Sequence, residues 1–146
     1  GFLPLLLPGI PAEHVRALLG QLADPRTFGA AFPVPSVSLD DPAFSTDMWR
    51  GATWANLNYA VIVGLRRQGC HAEAQRLAAA AVEQVGRWDE RCGVLFEFYD
   101  ARDQVPPYAC DRKGPYRGSY DLRRKVDSIR DYHWTAAVTA CLLLEG

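Results

Sequence analysis

The sequence predicts an all-α domain. Three observations carry this expectation. Four segments space their apolar residues at helical intervals. No period-2 alternation of any length appears, which argues against an extensive sheet. The connections at 24–48 and 101–130 are long and rich in Pro and Gly, a kind of loop that is usually functional in a compact chain. The 146 residues suit one domain, and an apolar fraction of 49% with 23% charged residues is ordinary for a globular one.

The helices follow in order. Residues 12–23, "AEHVRALLGQLA", align Val15, Leu18, Leu19 and Leu22 on one face, and Pro11 suits a first helical turn. Residues 53–68 are apolar nearly all round until Arg66, the pattern of an inner helix. Residues 71–88 carry a small apolar face and a charged one, the pattern of an outer helix. Residues 134–144 are again apolar all round. At 93–99, "GVLFEFY" has the composition of a short strand. The opening "GFLPLLLPGIP" is interrupted by Pro4, Pro8 and Pro11 and has no basic start, so it reads as neither a spanning helix nor a signal peptide. The chain begins and ends inside apolar segments, which points to a piece of something larger, with a short native domain as the alternative.

Bulk charge excludes some functions. A net charge of −1 gives no expectation of a nucleic-acid or membrane partner. The one basic cluster, "RKGPYRGSYDLRRK" from Arg112 to Lys125, is mixed with acidic, Gly and Pro positions and reads as a solvated loop. The four cysteines form no CxxC pair and have no metal-ligand spacing with the three histidines, so no metal is expected. Cys70 and Cys141 read as small buried apolar residues, and Cys92 and Cys110 as a disulfide or two free thiols. A cytoplasmic setting is favoured.

Chain geometry then gathers the polar and aromatic residues. Helices 53–68 and 71–88 are nearly contiguous, so they form an antiparallel pair. This returns "FEFYD" (96–100) to the end occupied by "MWRGATW" (48–54). A final inner helix parallel to 53–68 brings "DYHW" (131–134) to the same rim. Glu97, set between Phe96 and Phe98, must be paired or useful, since unpaired burial is costly. It is read either as salt-bridged to Arg50 or Arg130, or as a general base. Trp49, Trp54 and Trp134 are packing residues or the flat faces on which sugar rings stack. Arg50 offers a planar fork of donors to a hydroxyl, or pairs with Asp47, Asp100 or Glu97. Gly51 permits close backbone approach to a ligand. Asn56 and Asn58, two apart on a helix, face different ways, so one is expected toward ligand and one between helices. Tyr99 extends the rim, Asp100 extends it or begins a turn, and Asp131 reads as a helix cap.

Taken in order, "WRGATWANLNYAVIVGL", "FEFYD" and "DYHWTAAV" closely resemble the C-terminal motifs of glycoside hydrolase family 63 and its trehalase-like and mannosylglycerate-hydrolase-like relatives. The resemblance covers nearly the whole chain. It implies an (α/α)6 barrel with the sugar site at the loop-bearing rim, and residues 1–146 as the C-terminal part of one such catalytic domain. It implies inverting hydrolysis of an α-glycosidic bond without metal or organic cofactor. Glu97 matches the family's general base. Trp49, Arg50, Gly51 and Trp54 match its substrate segment, and Tyr99 and Trp134 its pocket aromatics. The family's general acid is an aspartate upstream of this chain, so residues 1–146 alone are expected to be inactive. The expected partners are a carbohydrate and the missing barrel portion, or a second copy. A non-catalytic carbohydrate-binding module and a structural helical module are the alternatives.

Overall fold

The computed structural model describes residues 1–112 and 127–145. Its α-helices are α1 (Ala12–Ala23), α2 (Ala55–Arg67), α3 (His71–Cys92) and α4 (His133–Glu145). No strand forms among the described residues. The expected strand at 93–99 does not form, and its residues pair only through isolated bridges, Thr53 with Tyr99 and Phe96 with Arg130. The fold is all-α.

Helices α2 and α3 make the antiparallel pair. Gly69 takes a positive φ of 75° in the turn between them, and the Cys70 N–H reaches back to the Leu65 carbonyl at 2.9 Å. Helix α3 runs one turn beyond the expected Trp88. It stops at Gly93, whose left-handed conformation (φ 68°) closes the helix with an N–H bond to the Asp89 carbonyl. Its buried side is Ala74, Leu77, Ala81 and Val85, a narrow stripe whose two alanines allow close approach to α2. Helix α2 buries Ala55, Asn58, Val61, Ile62, Gly64 and Leu65, as an inner helix should.

Helix α4 begins at the Trp54 end of α2, where the Thr135 hydroxyl donates to the Phe96 carbonyl at 2.7 Å. It ends with Glu145 accepting from the Tyr59 hydroxyl at 3.0 Å and ion-paired to Arg66. Helices α2 and α4 are therefore parallel, as the sequence predicts. Yet α4 buries only Thr135 and Leu142, and Leu143 and Leu144 are exposed. Cys141 is exposed too, correcting its reading as a buried residue. An apolar helix with so much open surface is one that neighbours ordinarily cover.

The N-terminal segment forms a 3-10 turn (Leu3–Leu6) that plugs one side of α2. Phe2 and Leu5 are buried there, each burial stabilising by roughly 1.5–3 kcal/mol. Gln68 clamps the turn by donating to the Leu5 and Leu7 carbonyls at 2.8 and 2.9 Å. Gly64 makes the contact possible, because a Cβ there would lie 2.7 Å from Leu5 Cβ and 3.1 Å from the Leu5 carbonyl carbon. Gly64→Ala gains about 1 kcal/mol of helix propensity but forces an overlap costing up to about 3 kcal/mol. The overlapping atoms cannot rotate away, so a net loss of about 1–2 kcal/mol is expected. A lower urea midpoint at unchanged m-value would register it.

Candidate functional site

Backbone hydrogen bonds stitch the three rim segments together. Thr53 and Tyr99 exchange N–H···O bonds of 2.8 and 3.0 Å. The Glu97 N–H donates to the Ile129 carbonyl at 2.9 Å, and the Tyr132 N–H to the Leu95 carbonyl at 3.0 Å. Ser128 bridges the Phe98 backbone in both directions, its hydroxyl accepting at 3.0 Å and donating at 2.8 Å. The convergence expected from helix order is thus real, and single bridges rather than a sheet hold it.

Two aromatic surfaces flank the rim. Trp49, 47% exposed, stacks on buried Trp54 with ring centroids 3.8 Å apart and planes 3° from parallel. Trp54 leans in turn on Phe98 at 5.1 Å, and its indole N–H donates to the Met48 carbonyl at 3.3 Å. Trp54 is therefore the foundation and Trp49 the accessible face. Across the rim Trp134 is 46% exposed and meets Tyr132 edge-on at 5.7 Å.

Glu97 lies on the same rim with 3% of its side chain exposed. Its cation is neither Arg50 nor Arg130 but Arg112, whose Nε donates to Oε2 at 2.8 Å and Nη2 to Oε1 at 3.4 Å. Arg112 thus departs from the solvated loop in which the sequence places it, its side chain being only 18% exposed. The rest of that basic cluster lies outside the described residues. Arg50 is exposed, and among the described residues it forms no ion pair with Asp47, Asp100 or Glu97. Tyr132 packs against the cluster of Ala52, Trp54, Phe98 and Cys110. Burial pushes its phenol pKa up, the nearby Glu97 carboxylate pushes it further, and Arg112 pulls it back. The hydroxyl therefore stays protonated, a donor at the edge of the site.

Other expected site residues serve the scaffold. Tyr99 is fully buried with Phe32 and Phe96, and its hydroxyl accepts the Phe96 N–H at 3.0 Å. It presents no surface to a ligand, which corrects its placement among the pocket aromatics. Gly51 is needed for the chain's own packing, because a Cβ would lie 2.3 Å from the Ser45 carbonyl oxygen and 2.8 Å from the Phe44 ring, at a φ of 153°. Asp100 accepts from the Arg102, Gln104 and Val105 N–H groups at 3.1, 2.9 and 2.9 Å, which makes it the start of a turn. Asp131 is not the cap: the first helical bond of α4 is accepted by the Tyr132 carbonyl, and Asp131 lies one residue further out at φ 54°. Asn58 is the buried member of the asparagine pair, and neither its Nδ2 nor its Oδ1 bonds within the described residues.

The cysteines are all free thiols, with Cys92 and Cys110 in separate clusters, so no disulfide links them. Burial pushes the Cys110 thiol up, and the Asp100 carboxylate adds to it, so it is no nucleophile. Asp127, bridged through its backbone to Asp111, has its carboxyl pKa raised by burial and then by the Asp111 charge, with Arg130 opposing. No group of three or more potential metal ligands occurs among the described residues, and no described helix is long and apolar enough to cross a membrane.

Sequence reasoning missed Arg112 and Tyr132. A buried carboxylate demands a cation, and that signal was present in the sequence. Spacing along the chain does not say which of several arginines answers it.

The chain is similar to known proteins over much of its length. The chain is 38% identical over 101 residues to a mannosylglycerate hydrolase from Thermus thermophilus, a match covering 68% of the chain and 23% of that protein. It is 31% identical over 138 residues to a mannosylglycerate hydrolase from Rubrobacter radiotolerans, covering 92% of the chain and 26% of that protein. Among solved structures it resembles a family 63 mannosylglycerate hydrolase from Thermus thermophilus in complex with glucose, with a TM-score of 0.58 at 29% identity over 100% of the chain and 30% of that structure. The chain spans about a quarter of the length of the curated relatives it matches. Its helix pairs correspond to part of an (α/α)6 barrel. Residues 1–135 match the model for the mannosylglycerate hydrolase MGH1-like glycoside hydrolase domain, and the chain belongs to that branch of glycoside hydrolase family 63.

Proposed function

We propose that residues 1–146 supply the general-base side of an inverting α-glycosidase, as the C-terminal part of one (α/α)6 catalytic domain. The observation that carries this reading is the buried Glu97 carboxylate, held by Arg112 on a rim flanked by exposed Trp49 and Trp134. Such a site matches a sugar: ring C–H faces lie on the indoles, and the carboxylate reaches a water beside the anomeric carbon. Glu97 takes a proton from that water as its oxygen bonds the anomeric carbon. The glycosidic C–O bond breaks on the opposite face, and the leaving oxygen takes a proton from a carboxylic acid.

Inversion requires the two carboxyl groups to stand about 6.5–9.5 Å apart, leaving room for the water. Asp100 does not serve as the acid, since its oxygens are committed to three backbone N–H groups. The acid belongs to the barrel portion that the relatives have and this chain does not span. That portion also covers the open faces of α4. The relatives named above make mannosylglycerate the first substrate to try, and the glucose bound in the solved relative adds α-glucosides.

The test is proton NMR of the first-formed product when the protein encoded by the full reading frame carrying residues 1–146 is given such an α-glycoside. The β-anomer is expected first. An α-anomer would overturn the inverting mechanism, and sugar binding without hydrolysis would favour the non-catalytic module. Residues 1–146 alone are expected to give no hydrolysis in the same assay.

A further inference from the structure

The main chain around Glu97 is immobilised. Its own N–H is tied to Ile129, and the next residue is held on both sides by Ser128. What remains free is the side chain's torsions, and these set where the carboxylate oxygens point. Arg112 meets them side-on. Nε and Nη2 lie on one edge of the guanidinium and address the two oxygens together, at 2.8 Å to Oε2 and 3.4 Å to Oε1. A carboxylate has about four acceptor directions. The short contact commits Oε2, and Oε1 keeps more of its capacity.

Arg112 is itself anchored. The preceding residue, Asp111, accepts the Met48 N–H on its carbonyl at 3.2 Å and bridges Asp127. Two successive residues, Asp111 and Arg112, therefore connect the turn that carries Trp49 to Glu97.

We propose that Arg112 is the positioning residue for Glu97: its guanidinium edge fixes the carboxylate so that Oε1 is the atom that accepts the proton from water. The inference rests on the reading of Glu97 as the base. It needs the fork and not only the charge, since a lysine ammonium is a point charge without an edge to match two oxygens.

The test uses the full-length protein with Arg112→Lys, Arg112→Ala and Glu97→Gln, reading kcat and KM separately and thermal unfolding alongside. A displaced catalytic group can cost about 100-fold. Arg112→Lys should lower kcat by about 10- to 100-fold and Arg112→Ala by about 100-fold or more, with KM within about threefold. Millimolar guanidinium should restore part of kcat to Arg112→Ala and none to Glu97→Gln. Where Arg112→Ala fails to fold, Arg112→Lys with a normal unfolding temperature decides.

Wild-type kcat in Arg112→Lys, with Glu97→Gln inactive, would overturn the positioning role and leave the base assignment standing. A raised KM at constant kcat would also overturn it, marking Arg112 as a substrate contact. Wild-type turnover in Glu97→Gln would remove the base assignment and this inference with it.

Discussion

Glu97→Gln in the full-length protein is expected to lower kcat by about 10³-fold or more while leaving sugar affinity within a few-fold of wild type. General acid–base catalysis is worth about 10²–10⁴-fold, and a neutral amide cannot take the proton. The substitution keeps the shape of the side chain and one oxygen acceptor for Arg112. It nevertheless leaves the guanidinium without its counter-charge in a site where both partners are largely buried, at 3% and 18% exposure. Breaking a buried pair by removing one partner can cost about 3–5 kcal/mol, and the retained hydrogen bond offsets part of that. Some loss of stability should therefore accompany the loss of rate. Isothermal titration with the substrate sugar separates the two effects: retained binding with no turnover identifies a base. A variant that folds, binds and turns over normally would make Glu97 a structural ion-pair residue only.

Gly51→Ala is expected to destabilise the rim by about 3 kcal/mol. A Cβ placed 2.3 Å from the Ser45 carbonyl oxygen meets a backbone atom that cannot swing aside. That oxygen belongs to a knitted loop. The Ser45 N–H donates to the Arg50 carbonyl at 2.7 Å, the Gly51 N–H to Ser36 Oγ at 3.1 Å, and the Ser36 N–H to the Ala52 carbonyl at 3.0 Å. The φ of 153° adds strain of its own for any L side chain. Relief must move the Phe44–Ser45 segment or the Met48–Arg50 turn bonded to it, and moving the turn would lift Trp49 from Trp54. Urea unfolding should show the lower midpoint, and tryptophan fluorescence should show the unstacking before global unfolding. A stability within about 0.5 kcal/mol of wild type would mean that the loop is looser than its hydrogen bonds imply.

Much of the scaffold was legible because it depends on local periodicity. The α1 boundaries follow from the Val15, Leu18, Leu19, Leu22 stripe and Pro11. The contrast between all-round apolar α2 and two-faced α3 identifies the inner and outer helices. The short connection between that pair sets their antiparallel order, and this alone places Glu97 beside Trp54. The ordered motifs carried the family resemblance, which the match over residues 1–135 supports. Less legible was how each rim side chain is used. Tyr99 and Trp134 are both aromatic and both flank a motif, yet one is wholly buried and the other 46% exposed. Nothing in their local sequence separates them, because burial depends on what the rest of the fold lays over each ring.

The helices, their order, and the gathering of a carboxylate and aromatics on one rim could all be read from the order of residues. They follow from hydrophobic spacing and connection length, which are properties of neighbours in the chain. It took the folded arrangement to establish that Arg112 holds Glu97, that Trp49 rather than Trp54 is the open face, and that Gly51 serves the Ser45 loop. Those assignments depend on distances of a few ångströms between residues that are not chain neighbours.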